Sequence, residues 1–326
     1  MSPKIYSFST NLLRLTHLSN LTNYLFFPSS QLHMNNRLMD IVHIIPLGHE
    51  IDRAIRPFDT GTANRVYLLV DTGEGSSNGT SERDKNMDDI QKKIYTPAVT
   101  EKLREKNITV HVVPTKTFEL ESLLKTITSL IRLEKERGSM IQINMSSSGR
   151  LGAVGAFMAG MAYNVPTYYV HSDHFSKDEE RETHGMSYCD KNHVSYLPQF
   201  KYSIPKTAEA RILEYLYKSK KQDASLAFSP KEIIDYLESK DVEGFITTAK
   251  ELEDIKEDQK KIRTVESRKL MRVAILLKKL TEDDEYLESH KEGRRTLFRI
   301  TELGEHAYCL CGMDKEKYAE MYKLTV

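Results

Sequence analysis

Two short stretches of the chain concentrate residue types that can hold an anion. The first is Ser146-Ser147-Ser148-Gly149-Arg150. Its hydroxyls, together with the free N–H groups of a helix that starts there, converge on one point. The helix dipole favours negative charge at that point, Gly149 admits close backbone approach, and Arg150 adds a fork of donors. The other stretch offers Leu47, Gly48, His49, Glu50 and Arg53. Plain helix capping is the competing reading of the serines, and an ordinary hydrogen-bonded pair is the competing reading of His49 and Glu50. We assign both stretches a ligand-binding role and no catalytic residue. His171, Asp173 and His174 form an H-x-D-H spacing too weak to argue for a metal, and His184 and His193 read as solvated loop residues, so no metal and no cofactor are assigned. G-x-G-x-x-G does not follow the first strand, and neither a phosphate-loop lysine motif nor a G-x-S-x-G elbow occurs.

The elements that must position these residues alternate in type. Apolar runs at about 40–46, 65–71, 108–113, 140–145 and 165–171 read as buried strands, and stretches near 51–56, 87–106, 117–137 and 151–164 read as helices. This alternation predicts an α/β, Rossmann-like parallel sheet with right-handed crossovers. In such sheets ligands sit beyond the carboxyl ends of the strands where strand order reverses, and both anion-binding stretches follow strands. The helix after Arg150 is rich in Gly and Ala and can lie close to the sheet. Residues 72–86, rich in Gly, Ser, Asn and Thr, read as a mobile loop bordering the site.

From Pro205 the pattern changes. Thr207 is expected to cap a helix to about 218, and Ser229, Pro230 and Glu232 supply a capping box for the next. A charged insert at 241–263 precedes a third helix at 265–280, whose expected buried stripe is Leu270, Val273, Ala274, Leu277 and Leu280. Two strands around Gly293-Arg294-Arg295 and a Thr301-x-Leu303-Gly304 helix start complete a winged helix-turn-helix, which implies double-stranded DNA as a partner. Arg268, Lys269, Arg272, Arg294 and Arg295 are the expected DNA contacts. A winged helix used only for protein contact or dimerisation is the alternative.

The 326 residues exceed the usual size of one core, and 47 basic side chains balance 47 acidic ones, so any polyanion contact must be local. Cys189, Cys309 and Cys311 form no disulfide framework or zinc knuckle and read as reduced thiols. With no long apolar run, the expectation is a cytoplasmic protein with no membrane partner. Residues 1–33 read as a poorly ordered extension, 34–204 as a ligand-sensing and dimerisation domain, and 205–326 as a DNA-binding domain; Met34 is a possible start.

The run Ile44-Ile45-Pro46-Leu47-Gly48-His49-Glu50-x-x-Arg53, the junction Asn144-Met145-Ser146-Ser147-Ser148-Gly149-Arg150 and the appended winged helix resemble archaeal regulators of the CARF type, in which a CRISPR-associated Rossmann fold is joined to a winged helix. The resemblance spans nearly everything after Met34. It implies a homodimer with a two-fold pocket for a cyclic oligoadenylate whose phosphates meet Ser146 to Arg150, and hence ligand-responsive transcription regulation. Many such proteins carry Gly-Gly-Thr-Lys-like residues where this chain has Ser-Ser-Gly-Arg. Some also cleave the ring slowly, which makes a ring nuclease or phosphodiesterase the enzymatic alternative.

Overall fold

The computed structural model describes residues 39–72, 89–191, 193–199, 204–248, 251, 253 and 260–324. The expectations for residues 1–33, nearly all of the 72–86 loop and much of the charged insert lie outside the described residues, as does a short strand that the sequence predicts over 200–203. Residues 39 to 326 form one compact unit.

The sheet begins with β1 (Ile41–Pro46) and β2 (Arg65–Asp71), whose runs of Ile, Val and Leu are buried almost without interruption, as a strand covered on both faces requires. β3 (Thr109–Thr115), β4 (Met140–Asn144), β5 (Thr167–Val170) and β8 (Val194–Tyr196) complete six strands in the order β3-β2-β1-β4-β5-β8. All neighbours are parallel except β5 and β8, an antiparallel edge pair beyond the strands expected. Two short strands, β6 (His174–Phe175) and β7 (Ser187–Tyr188), pair apart from the sheet. Strand order reverses between β1 and β4, so the crevice at their carboxyl ends is the switch point.

Helices α1 (Asp52–Ile55), α2 (Thr96–Glu105), α3 (Leu120–Glu136) and α4 (Arg150–Tyr163) cover the sheet. α4 lies close to it because its residues are small. A Cβ at Gly160 would come within 2.0 Å of the Thr167 hydroxyl, so glycine is required there. A short helix, α5 (Arg181–His184), leads into β7.

Three helices follow: α6 (Thr207–Gln222), α7 (Pro230–Ser239) and α8 (Lys260–Lys278). Thr207 is the first helical residue rather than the cap. The capping position belongs to Lys206, whose N–H donates to Glu209 at 2.7 Å. The Ser229 and Glu232 box is present as expected. Strands β9 (Leu287–Glu292) and β10 (Arg295–Ile300) form the wing hairpin, and a bridge between Phe228 and Phe298 ties it to the segment before α7. This is a winged helix. Its closing helix α9 (Glu302–Cys309) is capped by Thr301, which accepts from Gly304 N–H at 3.0 Å, and a Cβ at Gly304 would meet the Tyr286 carbonyl at 2.1 Å. The chain is therefore a mixed α/β protein with a six-stranded, mostly parallel sheet followed by a winged helix.

The two parts share buried surface. α3 packs on α4 on one side and receives α9 and α10 (Lys315–Met321) on the other. Thr128 donates to the Cys309 carbonyl at 2.9 Å, Arg132 to the Cys311 carbonyl at 2.9 Å, and Tyr318 to the Thr126 hydroxyl at 3.1 Å. One apolar cluster consequently runs from Val42 and Ile143 in the sheet to Leu213 and Tyr308 in the winged helix. All three cysteines are buried and free, and burial pushes their thiols up to about 11 for Cys189 and about 12 for Cys309 and Cys311. Among the described residues no helix is long and apolar enough to cross a membrane.

Candidate functional site

At the switch point the two anion-binding stretches meet. The Gly48 N–H donates to the Ser147 carbonyl at 2.7 Å, which sets the loop after β1 against the loop after β4. Leu47 is structural: its N–H bonds the Leu69 carbonyl, and its own carbonyl accepts from Gln91. Ser146 is structural too. Its N–H and hydroxyl both bond the Asn144 side chain, and its oxygen accepts from Val170 N–H at 3.0 Å, which joins β4 to β5.

Ser147 differs. It is 0% exposed, and its hydroxyl has no hydrogen-bond partner among the described residues. Two further buried atoms nearby share that condition, Glu50 Oε2 and Arg53 Nε. A buried polar atom left unpaired costs roughly 1–3 kcal/mol, and three of them lie on the two loops that meet here. Arg53 is otherwise firmly held: it donates to the Ser172 hydroxyl at 2.9 Å and the Ser146 carbonyl at 3.4 Å, and its guanidinium lies over the Tyr169 ring at 5.3 Å. Glu50 accepts from the Ser187 hydroxyl at 2.8 Å and lies 3.8 Å from Arg53. Burial pushes the Glu50 carboxyl above its ordinary range, against the Ser187 hydrogen bond and the Arg53 charge, which pull it down. His49 packs edge-on against Tyr95. Ser148 is half-buried, and Gly149 and Arg150 are exposed at the start of α4, a 14-residue helix whose first N–H groups have no carbonyl partner within the helix. The arrangement can hold an anion between a fixed arginine, a helix N-terminus and a buried hydroxyl.

Sequence reasoning misses Ser172, Tyr169 and Ser187, and gives Asn144 only as part of the junction after β4, with no role of its own. Only their place at or just past strand ends would have signalled them. His184 was read as a loop residue, yet its Nδ1 lies 3.0 Å from Oδ2 of the buried Asp52. His171 stacks on His193, and His174 on Tyr188. No cluster of three or more metal-ligating side chains occurs among the described residues.

In the winged helix the expected DNA contacts separate. Arg294 and Arg295 are exposed at the wing turn, and Arg272 is exposed while donating to the Gly244 carbonyl at 2.8 Å. Arg268 is half-buried in an ion pair with Glu251. Lys269 is only 6% exposed; it pairs with Glu238 and donates to Thr247 at 2.7 Å, which turns it into the fold. The buried line of α8 is therefore Lys269, Val273, Leu277 and, just past its end, Leu280. The expected stripe is corrected: Leu270 and Ala274 face outward because Glu238 and Thr247 draw Lys269 inward in their place.

Residues 41–175 match a family described as HFX_2341_N-like, N-terminal, and residues 208–312 match the DUF6293 C-terminal winged helix domain. Among relatives, the chain is similar to the uncharacterized protein MJ1513 of Methanocaldococcus jannaschii. The two are 26% identical over 168 residues, and the match covers 48% of this chain and 47% of that one. The chain thus spans about half the length of this relative. Solved structures with some likeness include Csm6 of Enterococcus italicus bound to cyclic hexa-2′-fluoro-hexa-dAMP (12% identity, TM-score 0.33, 69% of this chain and 55% of that one). Others are protein VC1899 of Vibrio cholerae (11%, 0.35, 86% and 68%) and Can2 of Sulfobacillus thermosulfidooxidans in complex with cyclic tetra-adenylate (9%, 0.32, 87% and 68%). What the family matches support is a distinct N-terminal domain followed by a winged helix.

Proposed function

We propose that the chain is a ligand-responsive, DNA-binding regulator that senses a cyclic oligoadenylate or a related nucleotide at the β1/β4 switch point. The observation that carries this reading is the crevice itself, where Arg53 is fixed by its neighbours while Arg53 Nε, Ser147 Oγ and Glu50 Oε2 lack partners among the described residues. Phosphate oxygens would engage Ser147, Arg53, Arg150 and the first N–H groups of α4. The choice of a cyclic oligoadenylate rests on the resemblance of residues 44–53 and 144–150 to the CARF type. Leu151 and Val154, exposed on α4 beside Arg150, support a homodimer whose second copy extends the pocket.

The signal has a short route. A ligand that moves the start of α4 bears on α3, and α3 holds α9 and α10 through Thr128, Arg132 and Thr126. DNA contact is assigned to Arg294 and Arg295 on the wing and to Arg272 on the flank of α8, with Lys269 left to the fold. The test is the affinity of the full chain for duplexes selected from a random library, with and without saturating cyclic tetra-adenylate and cyclic hexa-adenylate. A ligand-dependent change of about tenfold or more is expected, and an affinity that no ligand alters defeats the regulator.

Ring cleavage is the second reading, favoured by the raised Glu50 carboxyl beside Arg53, which suits a proton donor. Linear products that form as fast with Glu50→Gln as with the unaltered chain would exclude Glu50 from that role.

A further inference from the structure

The outward face of α8 is apolar in its middle. Met271 is 69% exposed, Ile275 65% and Leu270 47%, and the exposed Ala274 lies between them. At 100° per residue these four side chains form one arc opposite or beside the buried line Lys269, Val273 and Leu277. Apolar side chains of this size offer thymine methyl contacts but no donors or acceptors for base edges, and a contiguous exposed apolar patch marks a contact with another macromolecule.

The charges at the two ends of the arc say which one. Arg263 is exposed toward the start of α8, with Lys260 and Lys261 preceding it in sequence, whereas past Lys278, which lies 3.7 Å from Glu282, the helix runs out into exposed Glu282, Asp283 and Glu285. Even with Glu266 at the first end and Lys278 and Lys279 at the second, the first is net basic and the second net acidic, so two copies laid antiparallel set opposite net charges together, while two parallel copies oppose like ones. Antiparallel packing also opposes the two helix dipoles favourably. The register that sets Arg263 against Glu282 of the partner subunit sets Leu270 against Ile275 of the partner subunit, and Met271 against Ala274 of the partner subunit. That places large side chains over small at the centre. From Arg263 to Glu282 the seam is roughly 28 Å long, enough for a stable helix pair.

We propose that α8 is a self-association helix, docking antiparallel on α8 of a second copy of this chain through Leu270, Met271, Ala274 and Ile275, with Arg263 and Glu282 fixing the register. DNA contact is then left to the wing turn and to the Arg272 flank of the helix. The inference rests on the exposed face of α8 and not on the ligand crevice, and it holds whether or not a nucleotide binds.

The test uses the full chain. Ala274→Cys lies beside the two-fold axis of this register, and the buried native thiols Cys189, Cys309 and Cys311 do not compete for a cross-linker. Ala274→Cys is expected to give a covalent dimer with a short bis-maleimide at low micromolar protein, well above the yield from Lys291→Cys on the wing. In sedimentation equilibrium Ile275→Asp should weaken self-association at least tenfold. Arg263→Glu and Glu282→Arg should each weaken it several-fold, and the double reversal should restore it. If the chain also dimerises elsewhere, the cross-link and the charge-reversal cycle still report on this seam. A cross-link no stronger than the wing control overturns the proposal. So does a charge reversal that the second reversal fails to rescue, or an Ile275→Asp variant that loses a DNA or protein partner while its self-association is unchanged.

Discussion

The parallel sheet carries a polar cluster at each end, and the two clusters are finished differently. At the amino end, Glu134, fully buried near the end of α3, accepts from Arg65 at 2.9 and 3.1 Å, from Tyr67 at 2.6 Å and from Ser139 at 2.6 Å, and Arg65 also bonds Asp40 at 3.0 Å. Both oxygens of Glu134 are used. At the carboxyl end, Arg53 and Glu50 are 15% and 13% exposed, against 10% and 0% for Arg65 and Glu134, and each keeps an atom with no partner among the described residues, as does Ser147. A cluster whose members satisfy one another serves the fold. A cluster held rigid but left incomplete is available to a ligand, at a cost in stability that only binding relieves.

The largest effect expected on this contrast is at the finished end. Glu134→Ala leaves the Arg65 guanidinium buried with only Asp40, and should lower unfolding free energy by about 3 kcal/mol in urea titration. A loss below about 1 kcal/mol would show that the amino-end cluster is no more structural than the other. Arg53→Ala should reverse the balance, reducing affinity for the cyclic oligoadenylate by about 30-fold, or ~2 kcal/mol, through loss of a charge-assisted contact. Ser147→Ala should reduce it by several-fold while leaving stability unchanged or slightly raised, because the hydroxyl it removes has no partner to strand. A clear loss of stability in Ser147→Ala would make Ser147 a packing residue.

The two carboxyls should also respond to pH with opposite sign. Burial opposes ionisation of Glu134, but hydrogen bonds from Arg65, Ser139 and Tyr67 outweigh it and hold the carboxyl below its ordinary 4.5. Its contribution is therefore present above pH 4.5 and lost as pH falls through its lowered folded value. Glu50 is raised, so its neutral form favours folding: its contribution is complete below pH 4.5 and is lost as pH rises through the raised value. Urea midpoints between pH 4 and 7 should show the destabilisation by Glu134→Gln shrinking toward acid. They should show Glu50→Gln gaining on the unaltered chain toward neutral pH. Parallel curves for the two variants would erase the distinction. The smallest effect is expected at the wing, where Arg294→Ala should leave stability unchanged and reduce the salt slope of DNA binding by about one.

The strands and the two loops were readable because buried parallel strands are nearly unbroken apolar runs and glycine-rich junctions follow them. The wing was readable from its turn and from the Thr301-to-Gly304 cap. Other features depended on partners distant in sequence. Ser146 looks like Ser147 in a serine run, and only Asn144 and Val170 make the first structural while the second keeps an unpaired hydroxyl. Apolar spacing alone put Leu270 inside α8; Glu238 and Thr247, in other elements, bring Lys269 in instead. Nothing in the local pattern of α3 singles out Thr128 and Arg132, which hold the winged helix by bonds to carbonyls about 180 residues away.

The central claim is that the unfinished end of the sheet is a nucleotide site. Calorimetric titration of the full chain with cyclic tri-, tetra- and hexa-adenylate, repeated with Arg150→Ala, tests it most directly. The account predicts tight binding of one ring size, at one ring per two chains, that is lost in the variant. Heats indistinguishable from dilution for every ring, or binding that Arg150→Ala leaves unchanged, would contradict it.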